Sequence, residues 1–288
     1  MFIQNLLRFL PDRVYIQLQY YKHFGRLVNF NEPRTFNEKI QWLKLFDRQE
    51  LYTTLVDKYK VKDYVKGKIG EEFIIPTLDV YNDPTEIDLA KLPEKFVLKW
   101  NHDSGSIIIC TDKEKFDLNN AIKVLSKCKD GSKGYWYGRE WPYKNIEKKL
   151  LAEQYLPSDE NGDLIDYKLM CFNGKVRCIF TCTGRRSKEG LKVTFYDLNW
   201  NILPFTRNHP AEKEPMLKPE SLDIMIKAAE TLSEELSFAR IDFYEINKQP
   251  LFGEITLYPG SGLEPFQPQN WDEILGDWIV LPKEKCIS

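Results

Sequence analysis

The chain has 288 residues, 42% hydrophobic and 14% aromatic, enough for one large domain or two modest ones with a sizeable core. Its formal net charge of -2 supplies no electrostatic case for a nucleic-acid partner, although 41 Lys and Arg leave room for a basic groove. No apolar run approaches the ~20 residues that span a bilayer, and the six cysteines show neither a Cys-x-x-Cys pair nor zinc-finger spacing, as expected of reduced thiols in a cytosolic protein.

The start, Met1 to Leu10, is apolar and carries Arg8, but it lacks a small-residue cleavage site and meets Pro11 early, which makes it a poor signal peptide. It reads either as a helix packed on the body or as an interfacial helix giving peripheral membrane contact. From Phe2 to about Val65 the pattern is mostly helical. Residues 37–45 place apolar side chains at helical spacing, and Thr35 with Glu38 forms a capping box. Strand signals follow at Phe73 to Leu78, Phe96 to Trp100 and Ser106 to Cys110, then a helix over Asp117 to Lys127. Residues Tyr135, Trp136, Tyr137, Trp141 and Tyr143 form an aromatic cluster suited to stacking on sugar faces, to core packing or to a dimer contact.

A second mixed segment runs through Leu150 to Leu156, Tyr167 to Phe172 and Lys175 to Thr183 to a helix over Pro219 to Leu236. Cys178, Phe180 and Cys182, at i, i+2 and i+4, mark one buried strand face. Residues 158–163 and 208–219 read as extended loops. Helices interleaved with largely antiparallel strands define an α+β chain.

Between Ala239 and Gly262 two strand-like runs flank a polar turn over Glu245 to Pro250 and bring Asp242 near Glu254. Two unpaired carboxylates in a half-buried sheet are costly unless a cation sits between them, and Mg²⁺ commonly arrives with nucleotide phosphates. Lys99 stands at a strand end before a loop containing Ser104 and Gly105, whose N–H groups suit phosphate oxygens or simply form a solvated turn. The run Leu150 to Leu156, ending before Pro157, is an ordinary strand-to-loop transition or a hinge presenting backbone groups to an adenine edge. Asp166, Lys168, Arg185 and Arg186 fit surface pairing or an anion site.

In this order the motifs resemble the ATP-grasp superfamily, and more closely the TupA-like ATP-grasp proteins associated with bacterial surface-polysaccharide genes. The resemblance runs from residues 36–42 through Asp57-Lys58, Phe96 to Lys99 with Asn101-His102, and Asp166 to Lys168, to Phe252 to Thr256. It implies an ATP-grasp fold of two α+β subdomains (58–152 and 153–288) clasping ATP, preceded by a helical extension over 1–57. It implies that Lys58 and Lys99 contact ATP phosphates, with Lys99 also near the adenine. Glu153 and the backbone of Gln154, Tyr155 and Leu156 would take the adenine edge, and Asp166 the ribose hydroxyls, with Lys168 beside it. Arg240 and Lys99 would act in catalysis, while Asp242, Glu254 and Thr256 would hold Mg²⁺, or Mn²⁺ in its place. Thr256 stands where the superfamily often has Asn and offers a shorter oxygen.

The implied reaction is attack of a carboxylate on the ATP γ-phosphoryl group, then displacement of phosphate from the acylphosphate by an amine. The family context points to a uronic-acid carboxylate on a sugar or glycan and a small amine, in the cytoplasm or at the inner membrane face, with Arg185, Arg186 and His102 as substrate contacts. Two competing expectations are a glycosyltransferase, for which the Asp-x-Asp metal motif is missing, and an ATP-grasp kinase or binding protein that forms no amide.

Overall fold

A computed structural model describes residues 9–103, 105–129, 133–157, 164–184 and 190–284; Ser104, Arg185, Arg186, the 158–163 loop, Cys286 and residues 1–8 of the apolar start lie outside the described residues. Helices α1 (Asp12–Phe24), α2 (Phe36–Phe46), α3 (Leu51–Val56) and α4 (Val61–Ile69) precede the first strand. Helix α2 begins at the expected capping box: Thr35 Oγ1 accepts from the Glu38 N–H, and the Glu38 carboxylate accepts from the Thr35 N–H.

Strands β1 (Thr77–Tyr81), β2 (Phe96–Trp100), β3 (Ile107–Cys110) and β4 (Leu150–Gln154) form an antiparallel sheet in the order β1-β4-β2-β3. Helix α5 (Leu118–Lys129) covers it, and Trp100 Nε1 donates to Leu125 O at 2.9 Å. Phe96, Leu98, Trp100, Leu125, Leu150 and Ala152 make this lobe's own core. The expected strand at Phe73 to Leu78 starts late, a short 3₁₀ turn occupying Glu71–Phe73, because Pro76 has no N–H to give a ladder.

After the short helix α6 (Lys133–Gly138) and β4, the chain crosses to a second antiparallel sheet. Its strands are β5 (Asp166–Phe172), β6 (Lys175–Thr183), β7 (Lys192–Tyr196), β9 (Phe238–Ile246) and β10 (Gln249–Thr256), ordered β10-β9-β5-β6-β7. Helix α7 (Leu222–Ser233) packs on it, while β8 (Thr206–Arg207) pairs with β11 (Phe266–Gln267) ahead of α8 (Asn270–Asp277). Cys178, Phe180 and Cys182 are buried on one strand face, as their spacing predicts. The polar turn is tighter than expected: Asn247 and Lys248, at φ 51° and 67°, make a two-residue hairpin, and Pro250 is tolerated because β10 is an edge strand.

The N-terminal helices share the larger core. Ile40 and Leu43 of α2 and Val61 and Val65 of α4 belong to the same buried cluster as Leu169, Ile241 and Phe243. The Phe36 ring lies 5.0 Å from Phe238 and 5.8 Å from Phe266. One face of α2 also grips the loop after β10: Gln41 Nε2 donates to Ser261 O and Gly262 O at 2.8 and 2.7 Å. The helical segment therefore buttresses the wall of the site. Among the described residues no helix is long and apolar enough to cross a membrane.

Candidate active site

In the β9–β10 ladder Phe252 pairs with Phe243 and Glu254 with Asp242, so Gly253 is an extra residue bulged out of register. Without the bulge, Glu254 would face Ile241 on the core side of the sheet. With it, Glu254 joins Asp242 on the opposite face, alongside Arg240, Thr256 and, across β5, Lys168. The expected proximity of the two carboxylates thus depends on one glycine.

These side chains form a closed charge network. Arg240 Nε lies 2.7 Å from Asp242 Oδ1, and its Nη2 lies 2.8 Å from Asp242 Oδ2 and 2.9 Å from Glu254 Oε1. Lys168 Nζ pairs with Asp242 Oδ2 and sits 3.6 Å from Asp166 Oδ2, while Lys58 Nζ lies 3.0 Å from Glu254 Oε2. Burial alone would raise the pKa of Glu254, but Lys58 and Arg240 outweigh it and hold the carboxyl well below its usual range. Burial would likewise lower Lys168, yet Asp242 keeps it raised. Thr256 Oγ1 reaches Glu254 Oε1 at 3.4 Å, an orienting distance for a side chain expected at the metal.

Lys58 is brought to β10 by a buried asparagine. Asn101 Nδ2 donates to Asp57 Oδ1 and Glu147 O, both at 2.9 Å, and the Lys58 N–H donates to Asn101 O at 3.1 Å. This clasp joins Asp57-Lys58 to Asn101-His102 in space. His102 is 3% exposed, burial lowers its pKa, and neither ring nitrogen has a hydrogen-bond partner.

A second cluster holds Lys99 and Glu153. Lys99 Nζ lies 2.5 Å from Glu153 Oε2, and Lys62 Nζ, which no sequence signal singled out, lies 2.6 Å from Glu153 Oε1. Burial would raise Glu153, but Lys99 and Lys62 together hold its pKa below the usual value. Gln154 N donates to Pro76 O at 3.0 Å, so that amide is committed to the fold, while Tyr155 and Leu156 continue toward the second sheet. Gly105 takes φ 111°, open only to glycine without strain.

Beside this network opens a cleft of about 630 Å³, lined among others by Lys58, His102, Arg240, Glu254, Thr256, Tyr137, Glu140, Tyr143, Ser261 and Glu264. The aromatic cluster divides: Tyr135 and Trp141 are buried in the core, whereas Tyr137 is 56% exposed and lines the cleft with Tyr143.

Among the described residues no group of three His, Cys, Asp or Glu side chains is poised around a metal. Mg²⁺ needs no such cage, because one or two carboxylates suffice when phosphates and water complete its shell. The adjacent oxygens of Asp242 and Glu254 fit that donor set, provided that Arg240 and Lys58 turn from them to an incoming polyphosphate.

No curated protein sequence matches the chain. Its structure is similar to D-alanine–D-alanine ligase from Bacillus anthracis complexed with ATP (16% identity, 71% of this chain and 54% of that one, TM-score 0.41). It is also similar to D-alanine–D-alanine ligase from Helicobacter pylori (16%, 83% and 66%, 0.44) and to L-amino acid ligase from Bacillus licheniformis (11%, 90% and 56%, 0.45). The chain thus spans between 54% and 66% of the length of these three proteins. The model of the TupA-like ATP-grasp family matches residues 38–280, from α2 through the Asp242–Glu254 hairpin to the end of α8, and the chain belongs to that family and has its ATP-grasp fold.

Proposed function

We propose that the protein is an ATP-dependent carboxylate–amine ligase that joins an amino acid or small amine to a uronic-acid carboxylate during bacterial surface-polysaccharide synthesis. The observation that carries this reading is the set of three cations, Lys58, Lys168 and Arg240, converging on Asp242 and Glu254 beside the open cleft. Phosphoryl transfer asks little covalent chemistry of a protein; it asks for positive charge held where negative charge spreads.

When ATP enters, its phosphates offer Lys58 and Arg240 new anionic partners. Asp242 and Glu254, relieved of those cations, would hold Mg²⁺, with Mn²⁺ able to replace it. The ion supplies neutralisation of phosphate charge. Lys168 stays with Asp242 and fixes its orientation, and Thr256 does the same for Glu254. Lys99 would remain near the nucleotide with Glu153 and Lys62, the backbone of Tyr155 and Leu156 would meet the adenine edge, and Asp166 the ribose. His102, neutral and unpartnered, has two ring nitrogens for phosphate or acceptor oxygens. Tyr137 and Tyr143 supply ring faces for a sugar. The reaction would run in the cytoplasm, where ATP is abundant, and the polysaccharide role rests on the family context.

The test is incubation with ATP, Mg²⁺, glucuronate or galacturonate and a panel of amino acids. Phosphate release that requires both carboxylate and amine supports the ligase. Phosphate retained on the sugar would make the protein a kinase and remove the reading.

A further inference from the structure

The acids around the site differ in one respect. Asp242, Glu254, Glu153 and Glu264 each contact a cation, Glu264 through Arg207 Nε at 2.9 Å. Two acids that line the cleft accept instead from a hydroxyl: half-buried Asp103 from Ser106, and Glu140, 8% exposed and so the more buried of the two, from Ser261. The buried ammonium of Lys44 acts on Glu140 electrostatically, but its hydrogen bonds go to Gly138 O and Ser261 O, at 2.7 and 2.9 Å. A carboxylate that faces a cleft with a hydroxyl partner and no ion pair keeps an acceptor for a cation from solution.

The surroundings are built to hold it there. A Cβ on Gly138 would fall 2.1 Å from Ser261 Oγ and 2.7 Å from Glu140 Oε1, so only glycine admits the Ser261–Glu140 contact. Ser261 lies between Gly260 and Gly262, all three at φ between 55° and 61°, and Gln41 and Lys44 of α2 pin the carbonyls of Ser261 and Gly262. Backbone strain at a non-glycine residue persists where the surroundings over-determine it.

We propose that Glu140 is the seat and proton acceptor of the second substrate, a primary ammonium compound, in the ligase reaction. The step rests on the ligase reading above. The ammonium R–NH₃⁺ transfers one proton to the Glu140 carboxylate and becomes R–NH₂. Its nitrogen lone pair forms the C–N bond at the acylphosphate carbon, and the C–O bond to phosphate breaks. One hydrogen remains on the amide nitrogen, the other leaves with phosphate as HPO₄²⁻, and Glu140 returns its proton to water. Lys58 and Arg240, which line the same cleft, favour phosphate and repel an ammonium, whereas Glu140 attracts one. Burial raises the Glu140 carboxyl above its ordinary value, against the lowering effects of Lys44, Ser261 and Arg240, and the phenols of Tyr143 and Tyr258 also feel its charge. A carboxyl raised above its ordinary value is the better proton acceptor.

Hydroxylamine tests this, because it is uncharged at neutral pH and captures an acylphosphate without a base. Wild-type protein with ATP, Mg²⁺ and glucuronate or galacturonate should form hydroxamate with hydroxylamine and amide with a member of the amino-acid panel. Glu140→Gln should lower amide formation on the order of 100-fold, while hydroxamate formation falls by less than about threefold, a split that misfolding would not produce. Ser261→Ala should show a smaller split in the same direction. Equal effects on both nucleophiles, or amide formation unaffected by Glu140→Gln, would overturn the role of Glu140. Hydroxamate without amide from any ammonium nucleophile would overturn the substrate class. No hydroxamate from wild type would instead remove the ligase reading on which this rests.

Discussion

Glu254 stands opposite Asp242 because Gly253 steps out of the β9–β10 ladder. A Cβ at Gly253 would lie 3.2 Å from Asp242 O and 3.3 Å from the Tyr244 ring, closer than unstrained contact. Gly253→Val should therefore displace the backbone that sets the spacing of the two carboxylates, costing about 1–3 kcal/mol of stability. ATP-dependent phosphate release should fall further than this loss of folded protein explains. Thermal unfolding and turnover measured on one preparation check it; wild-type turnover in a destabilised Gly253→Val protein would show that the bulge does not set the site.

Asp242 and Glu254 share a ligand role but not an environment. The Asp242 side chain is 3% exposed against Lys168, whereas that of Glu254 is 29% exposed toward the cleft. Both Asp242→Asn and Glu254→Gln should abolish turnover. Asp242→Asn takes the nearer carboxylate from buried Lys168 and leaves it Asp166 at 3.6 Å, whereas Glu254→Gln takes its carboxylate from half-buried Lys58 at the cleft, so Asp242→Asn should cost the more, about 3 kcal/mol. Chemical denaturation separates the two; equal stability in both variants would contradict the assignment of Lys168 as an orienting partner of Asp242.

The hairpin and its flanking basic residues were legible because strand alternation and motif order place Arg240, Asp242, Glu254 and Thr256 on two adjacent runs. The helix boundaries were legible where a local device fixes them, as at Thr35 and Glu38. Lys62 was not. It lies in a short helix with lysines at several positions, and its pairing with Glu153 exists only once β1 and β4 bring Thr77 beside Glu153. Glu140 was hidden for the same reason, since its partners Lys44 and Ser261 are far away in sequence. Strand β7 escaped because residues 192–196 mix Lys and Thr with apolar residues and are buried by β6 and the following loop rather than by their own pattern.

Lys62 bears on acid stability. Glu153 has a folded-state pKa below its usual value, so its ion pairs stabilise the fold above the ordinary carboxylate pKa of about 4.3 and the contribution is lost as pH falls through the lower folded value. Lys62 itself is lowered by burial more than Glu153 restores, so its charge is held at a cost. Lys62→Met removes both the cost and one of the two cations on Glu153. At neutral pH the net loss should be small, roughly 1–2 kcal/mol. The folded-state pKa of Glu153 should rise, moving the midpoint of acid unfolding to higher pH. Circular dichroism followed from pH 7 downward reads the shift; an unchanged acid midpoint would mean that Lys99 alone sets the state of Glu153.

His102 separates structural from functional burial. Its ring packs edge-on to Trp100 with centroids 5.6 Å apart, and both nitrogens are buried without hydrogen-bond partners. An unsatisfied buried polar group costs about 1–3 kcal/mol, so His102→Phe, which keeps the ring contact, should leave stability unchanged or raise it. Because burial lowers the His102 pKa, the wild-type imidazole is neutral at pH 7 and carries one donor and one acceptor, on a residue that lines the cleft with Lys58. If those atoms meet phosphate or acceptor oxygens, His102→Phe lowers turnover while the melting temperature holds or rises, and His102→Gln, which restores a donor and an acceptor, recovers part of the rate. A His102→Phe protein that turns over like wild type would make the histidine a packing residue, and a less stable one would mean that its nitrogens already have partners in solution.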